Sequence, residues 1–363
     1  MNFGVIDHFE WLKAKPVGYC DLASSGIHGP DSLEELGVST ADLPLSGGNP
    51  YGYPPLKEWL ATKFGVSVDR IALAPGASGA NFAVISTMIG PGDQVVLESP
   101  VYQPMVSVVA ASSDVPPLYF KRLPEEKYRI DPDLPFEVFS DPKLIVTTNL
   151  HNPTGVYQPP EVFLSIADKI AARDGWLLVD EIFLPFKSGL EWQSVAAFHD
   201  RIITTGSLTK AWGLSGLRCG WIVGPPDIIY KIQRQLDYTQ GTQSVFNEAL
   251  ALRLLETGAA DTLLKKARKR ADENRKYIVE FLDDWGKVSY SKPDGGLVIF
   301  VRQPEAANTD AFCQILLEKH NILITPGRFF RDPSGFRIGL TAPNSDLREW
   351  LEKLREVYEL CWK

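Results

Sequence analysis

Six short apolar runs, each separated from the next by a longer helix-like or turn-rich stretch, constrain this chain more than any other feature. They cover Ile71–Ala74, Gln94–Glu98, Leu144–Thr148, Trp176–Asp180, Arg201–Thr205 and Gly220–Gly224. Helical spacing fills Ala77–Ile89 and Pro160–Asp174 between them. Short strands alternating with helices predict parallel βαβ units and a doubly wound α/β sheet. Such sheets place ligands at the carboxyl ends of their strands, so the loops after these runs are where chemistry is sought.

The pattern changes after Pro225-Pro226. Residues from Asp227 to about Trp285 read as long helices rich in Leu, Glu, Lys and Arg. A strand over Leu297–Arg302, a helix over Asp310–His320, a strand over Arg337–Leu340 and a closing helix over Asp346–Cys361 follow. This predicts a smaller α+β domain. The expected division is an N-terminal segment, 1–40, packing with the small domain; a large domain, 41–245; and a C-terminal small domain, 246–363. At 363 residues the chain is long enough for one large and one smaller core.

Charge excludes one class of partner. The formal net charge is −8, which gives no electrostatic footprint for nucleic acid. The basic clusters Lys265-Lys266 and Arg268-Lys269-Arg270 lie in a mixed-charge helical stretch and read as a solvated face. The four cysteines, Cys20, Cys219, Cys313 and Cys361, are scattered without metal-ligand spacing, so no metal is expected and reduced thiols are. Met1–Pro16 lacks the charged and apolar regions of a secretory signal, and no apolar run approaches the ~18 residues that span a bilayer. The expectation is a cytoplasmic protein with no membrane partner.

The segment Ser207-Leu208-Thr209-Lys210 opens the loop after the run that ends near Thr205, and Gly216-Leu217-Arg218-Cys219-Gly220 follows it. A loop lysine can condense with an aldehyde when its amine is neutral often enough to attack, and desolvation or a neighbouring cation such as Arg218 promotes that. Ser207 offers a hydroxyl to a phosphate, and Arg218 a planar fork of donors. Three further loops follow strands: Asn149-Leu150-His151-Asn152-Pro153-Thr154-Gly155, Asp180 at the end of Trp176–Val179, and Pro75-Gly76-Ala77-Ser78-Gly79-Ala80. Alone, Asn-Pro-Thr-Gly is a turn and Asp180 an N-cap or salt-bridge partner. Backbone N–H groups at a helix N-terminus, here Ala77 and Ser78, make a natural phosphate site.

Together these motifs resemble the fold-type I aminotransferases of class I and II, whose signature is Ser-x-x-Lys followed eight residues on by an arginine flanked by glycines. The resemblance runs over nearly the whole chain and implies a mostly parallel seven-stranded sheet flanked by helices, binding pyridoxal 5′-phosphate. It implies that Lys210 holds the cofactor as a Schiff base and moves the Cα proton. Asp180 would pair with the pyridine nitrogen, and Asn152 would contact the ring oxygen and line the substrate site. Ser207, Arg218, Ala77 and Ser78 would hold the phosphate, and Tyr102 would stack on the ring.

Tyr51, with Tyr53 as the alternative, resembles the tyrosine that reaches the phosphate of a neighbouring subunit, which implies a homodimer with shared active sites. Pro326-Gly327-Arg328-Phe329-Phe330 and Phe336-Arg337-Ile338 resemble the segment carrying the arginine that clamps the substrate α-carboxylate, here Arg337. Ile27, and His28 beside it, match the segment that closes over the substrate. The implied reaction is transamination between an L-amino acid and a 2-oxo acid. One departure stands out: where relatives carry a tyrosine that donates to the ring oxygen, this chain has Phe183. The same residues also serve β-lyases, decarboxylases, cyclases and oxidases, so those reactions stay open, as does a non-catalytic cofactor-binding role.

Overall fold

The computed structural model describes residues 1–362 other than 17, 48, 191 and 304–307, and leaves the side chains of 344 and 345 undescribed. Seven strands form the main sheet: β1 (Ile71–Pro75), β2 (Val95–Ser99), β3 (Leu118–Lys121), β4 (Leu144–Thr148), β5 (Trp176–Asp180), β6 (Ile202–Ser207) and β7 (Cys219–Val223). Their order is β1-β7-β6-β5-β4-β2-β3. β7 pairs antiparallel with both β6 and β1, and every other pairing is parallel. β1 therefore runs with the remaining strands, and the carboxyl ends of β1, β2, β4, β5 and β6 reach one edge of the sheet.

The expected strands agree with the observed ones to within two residues at either end. β4 and β5 are buried along their whole length or nearly so, as continuous apolar runs covered on both faces must be. The edge strand β3 was not among the expected strands. It is four residues long, half-buried and preceded by Pro116-Pro117, so its apolar signal is weak. One face of the sheet packs on Ile145, Leu177, Val179 and Phe163, the other on Val84, Ile85, Val146 and Leu178.

Beyond the main sheet the chain forms helices Pro226–Asp237, Val245–Glu256 and Ala259–Trp285. A four-stranded antiparallel sheet follows, in the order Thr325–Pro326, Gly335–Gly339, Val298–Arg302, Ser289–Tyr290. A separate core gathers Leu22 with Ile278, Val301, Phe312, Phe336 and Leu351. The N-terminal segment joins it through Cys20–Asp21, which pairs in parallel with Ile322–Leu323, and through the Gly339 N–H bonding the Leu22 carbonyl at 2.7 Å. Most ion pairs have an exposed partner, as in Lys269–Glu273 on the basic helix face, and such pairs contribute ~0–1 kcal/mol each. Burial in these cores, ~1.5–3 kcal/mol per large apolar side chain, is the larger stabilising effect.

Candidate active site

The strand ends build the site directly. Thr148 of β4, Asp180 of β5 and Thr205 of β6 are register partners, so their side chains form a row across three strands. Asp180 is buried; its Oδ2 accepts from the Asn81 carboxamide at 2.8 Å and its Oδ1 from the Ile182 N–H at 2.9 Å. Asn81 in turn accepts from the Thr205 hydroxyl at 2.6 Å. Burial pushes the Asp180 carboxyl up to about 6, against the pull of these two hydrogen bonds. A carboxylate at such a strand end, held by two donors yet incompletely compensated, favours a cationic partner in the cleft.

Lys210 stands on the loop after β6, and its amine lies 3.1 Å from the Ser25 hydroxyl. Removal from water lowers its pKa to about 8; the Arg337 and Arg218 charges act in the same direction, and Asp180 opposes them. At about 8, roughly one amine in ten is neutral at pH 7, against fewer than one in a thousand at the ordinary value. A cleft opens around it at the strand ends. Ala77, Ser78, Asn81, Tyr102, Thr148, Asn152, Asp180 and Phe183 share its lining with Lys210 and Ser25.

At the far end of the site, helix Gly76–Met88 begins where β1 stops. Its first N–H groups have no intrahelical acceptor and carry the positive end of the helix dipole. Arg218 lies against this terminus, its guanidinium donating to the Pro75 carbonyl at 3.2 Å. Gly76 has φ +76°, and a Cβ there would fall 2.6 Å from the Arg218 guanidinium. A Cβ on Gly220 would meet the Gly76 backbone at 2.6 Å, so the glycines let arginine and helix end approach. Ser207 is buried with its Oγ accepting from the Thr209 N–H at 3.1 Å, which leaves its own proton free to donate.

Opposite, Arg337 rises from strand Gly335–Gly339 and is 2% exposed. It donates to the Asn152 carboxamide oxygen at 3.0 Å, the Ala23 carbonyl at 2.9 Å and the Thr325 hydroxyl at 3.3 Å. Its Nε has no partner, and among the described residues no carboxylate pairs with it. Burial lowers its pKa to about 10, which still leaves it charged at neutral pH. A buried cation of this kind is an incomplete ion pair awaiting an anion.

The residues expected from sequence are not all gathered here. Lys210, Asp180, Asn152, Tyr102, Ala77 and Ser78 line one cleft, Arg337 touches it through Asn152, Arg218 lies against the helix end that carries Ala77, and Ser207 is buried at the end of β6. Tyr51 lies elsewhere, 43% exposed with the Arg234 guanidinium 4.8 Å over its ring. Ile27 packs against the large core, with its N–H 3.5 Å from the Lys210 carbonyl, and His28 is exposed. Asn81, Thr148 and Ser25 are additions. Asn81 had a weak signal, a lone carboxamide one helical turn after Ala77; a serine in a glycine-bearing loop and a threonine in a strand have none.

The model of the family "Aminotransferase class I and II" matches residues 45–354. Capreomycidine synthase of Streptomyces vinaceus is 27% identical over 361 residues, covering 96% of this chain and 92% of that one. An arginine–pyruvate transaminase of Pseudomonas aeruginosa is 26% identical over 293 residues, 78% of this chain and 73% of that one. Among solved structures, a PLP-dependent aminotransferase from Streptococcus suis superposes with a TM-score of 0.89 at 25% identity, over 100% of both chains.

Proposed function

Because the chain belongs to the class I and II aminotransferases, fold-type I enzymes that use pyridoxal 5′-phosphate, we propose that it transfers the amino group of an L-amino acid to a 2-oxo acid, with Lys210 linking the cofactor aldehyde. The single observation that carries this reading is the placement of Lys210 and Asp180 in one cleft, the amine's pKa lowered and the carboxylate incompletely compensated. The donor set suits such a group. Helix N-terminus 76–78, Arg218 and Ser207 make an anion cradle, and Asp180 offers its carboxylate where a protonated ring nitrogen would lie.

When bound, the cofactor supplies an electron sink for the carbanion at the substrate Cα. The protein does the rest. Arg337, whose Nε has no partner and which pairs with no carboxylate among the described residues, would take the α-carboxylate and so fix the direction of the Cα–H bond. Lys210, whose amine burial keeps partly neutral, would take that proton and return it, as a general base and acid. Asp180 stabilises positive charge on the ring nitrogen. Asn152, already bonded to Arg337, would serve both the substrate and the ring oxygen, and Tyr102 in the cleft wall would cover the ring.

We also infer a homodimer with shared sites. Tyr51 is not among the residues lining the cleft of its own chain, and it is exposed, as are the large side chains Leu45 at 86% and Tyr238 at 92%, which makes them candidates for a contact between subunits. A second reaction has a specific observation in its favour. Phe183 lines the cleft where a hydroxyl donor is usual in the family, and one relative is named as a synthase, so cyclisation or elimination on the same cofactor is the alternative.

Adding amino acid to the cofactor-loaded enzyme separates the two. Transamination converts the visible absorbance to the near-ultraviolet band of the aminated cofactor with stoichiometric 2-oxo acid. Release of ammonia, or a product retaining its amino group, favours the alternative.

A further inference from the structure

His8, on the N-terminal helix Asp7–Lys13, is a buried titratable group that the proposed chemistry does not use. It is 1% exposed, and among the described residues neither ring nitrogen has a hydrogen-bond partner. Its main chain is anchored, the N–H donating to the Gln103 side-chain oxygen at 2.7 Å. Leaving a buried donor and acceptor unpaired costs free energy, so an imidazole kept in this state calls for a reason.

The surroundings point to the substrate. The imidazole stacks on Phe329 at 4.8 Å and 12°, and stands edge-on to Tyr102 at 5.4 Å and to Phe330 at 6.0 Å. Tyr102 lines the Lys210 cleft, and Phe330 lies under the Arg337 guanidinium at 4.9 Å. An amino acid whose carboxylate meets Arg337 thus has this aromatic wall beside it. The main charges acting on the imidazole are positive: Arg337, Lys210, Lys15 and Arg328. Lys15 sits over the Trp11 ring at 3.1 Å, and Arg328 is paired with Asp310 at 2.7 Å.

On the reading above, we propose that His8 sets side-chain specificity: its imidazole hydrogen-bonds an uncharged polar group on the substrate side chain, and the cations around it disfavour a cationic one. Burial and these four charges lower its pKa to about 3, so the ring carries one donor and one acceptor across the working range. Its nitrogens are buried behind Tyr102, which lines the cleft, so the proposed contact requires that ring to turn aside.

Glutamine, methionine and lysine have side chains of similar length and test this. Their α-methyl derivatives, which carry no Cα proton, report binding to the cofactor-loaded enzyme by calorimetry. The wild-type protein should bind the glutamine analogue most tightly and the lysine analogue least. His8→Phe keeps the ring stack and removes both nitrogens; it should weaken the glutamine analogue by about 5- to 100-fold relative to methionine, the range for an unpaired buried hydrogen-bonding group. His8→Gln should recover part of that loss. A glutamine-to-methionine ratio unchanged in His8→Phe, or a wild-type preference for lysine, overturns the proposal. Should His8→Phe not fold, the wild-type ranking and His8→Gln decide alone. Failure of the Lys210 reading looks different, since no amino acid would then alter the cofactor absorbance.

Discussion

The guanidinium of Arg337 donates to the carboxamide oxygen of Asn152 at 3.0 Å, joining the C-terminal antiparallel sheet to the turn that follows β4. A residue 185 positions away in sequence is thereby brought to the edge of the Lys210 cleft. The arginine has no carboxylate partner among the described residues, and on the proposed reading a bound α-carboxylate would supply one.

Arg337→Lys should therefore retain the charge and lose the planar fork. We expect a rise of roughly 10- to 100-fold in KM for the amino acid, the equivalent of ~1.4–2.8 kcal/mol, with cofactor absorbance unchanged. Steady-state kinetics against amino acid concentration check it; an unchanged KM would assign the carboxylate contact elsewhere.

Asp180 makes a pH prediction for the cofactor-free protein. Its folded pKa of about 6 lies above the ordinary 3.8, so between those values the folded state binds more protons than the unfolded state. Stability then falls as pH rises from about 4 to 6, and the loss from a shift of about two units is about 3 kcal/mol. Asp180→Asn removes this slope. The two denaturant midpoints should lie closest near pH 4, and the wild-type midpoint should fall relative to that of Asp180→Asn as pH rises past 6.

Beneath the cleft, Glu98 and Arg122 form an ion pair at 2.7 Å with both side chains fully buried. Glu98 also accepts from the hydroxyls of Thr147 at 2.6 Å and Thr148 at 2.7 Å, and so holds a strand end that lines the site. Glu98→Ala strands a buried guanidinium and should cost about 3–5 kcal/mol, whereas Glu98→Leu with Arg122→Met should recover much of it. Urea titrations of the single and double variants measure the difference. Equal losses in both would place the stability in hydrogen bonds rather than in charge pairing.

Phe183 bears on the alternative chemistry. Phe183→Tyr restores a donor toward the cofactor's ring oxygen, which stabilises the deprotonated form of the lysine-linked cofactor, so that linkage should titrate at lower pH. Absorbance followed against pH reads this directly, and an unchanged midpoint would show that position 183 does not reach the ring.

Much of this arrangement is legible in the residues themselves. β4 and β5 are unbroken apolar runs because both faces are covered, and that burial makes them easy to read and fixes where Asn152 and Asp180 emerge. Lys210 and Arg218 share one short loop, so their spacing survives in the sequence. Contacts made across layers do not. Asn81 reaches Asp180 from a helix 99 residues earlier, and Ser25 reaches Lys210 across 185 residues. The environment of His8 comes from Tyr102 and Phe329, which no local pattern links to it. Tyr51, read as a phosphate contact, lies outside the cleft of its own chain, and a single sequence does not encode which copy it would serve.

Lys210 is expected to carry the cofactor, and reduction followed by mass spectrometry decides whether it does. The protein is incubated with pyridoxal 5′-phosphate, treated with borohydride to fix any imine as a stable secondary amine, and digested. The account predicts one major adduct, on the peptide containing Lys210, and its disappearance in Lys210→Ala along with the visible absorbance. An adduct on another lysine, or none, would contradict it.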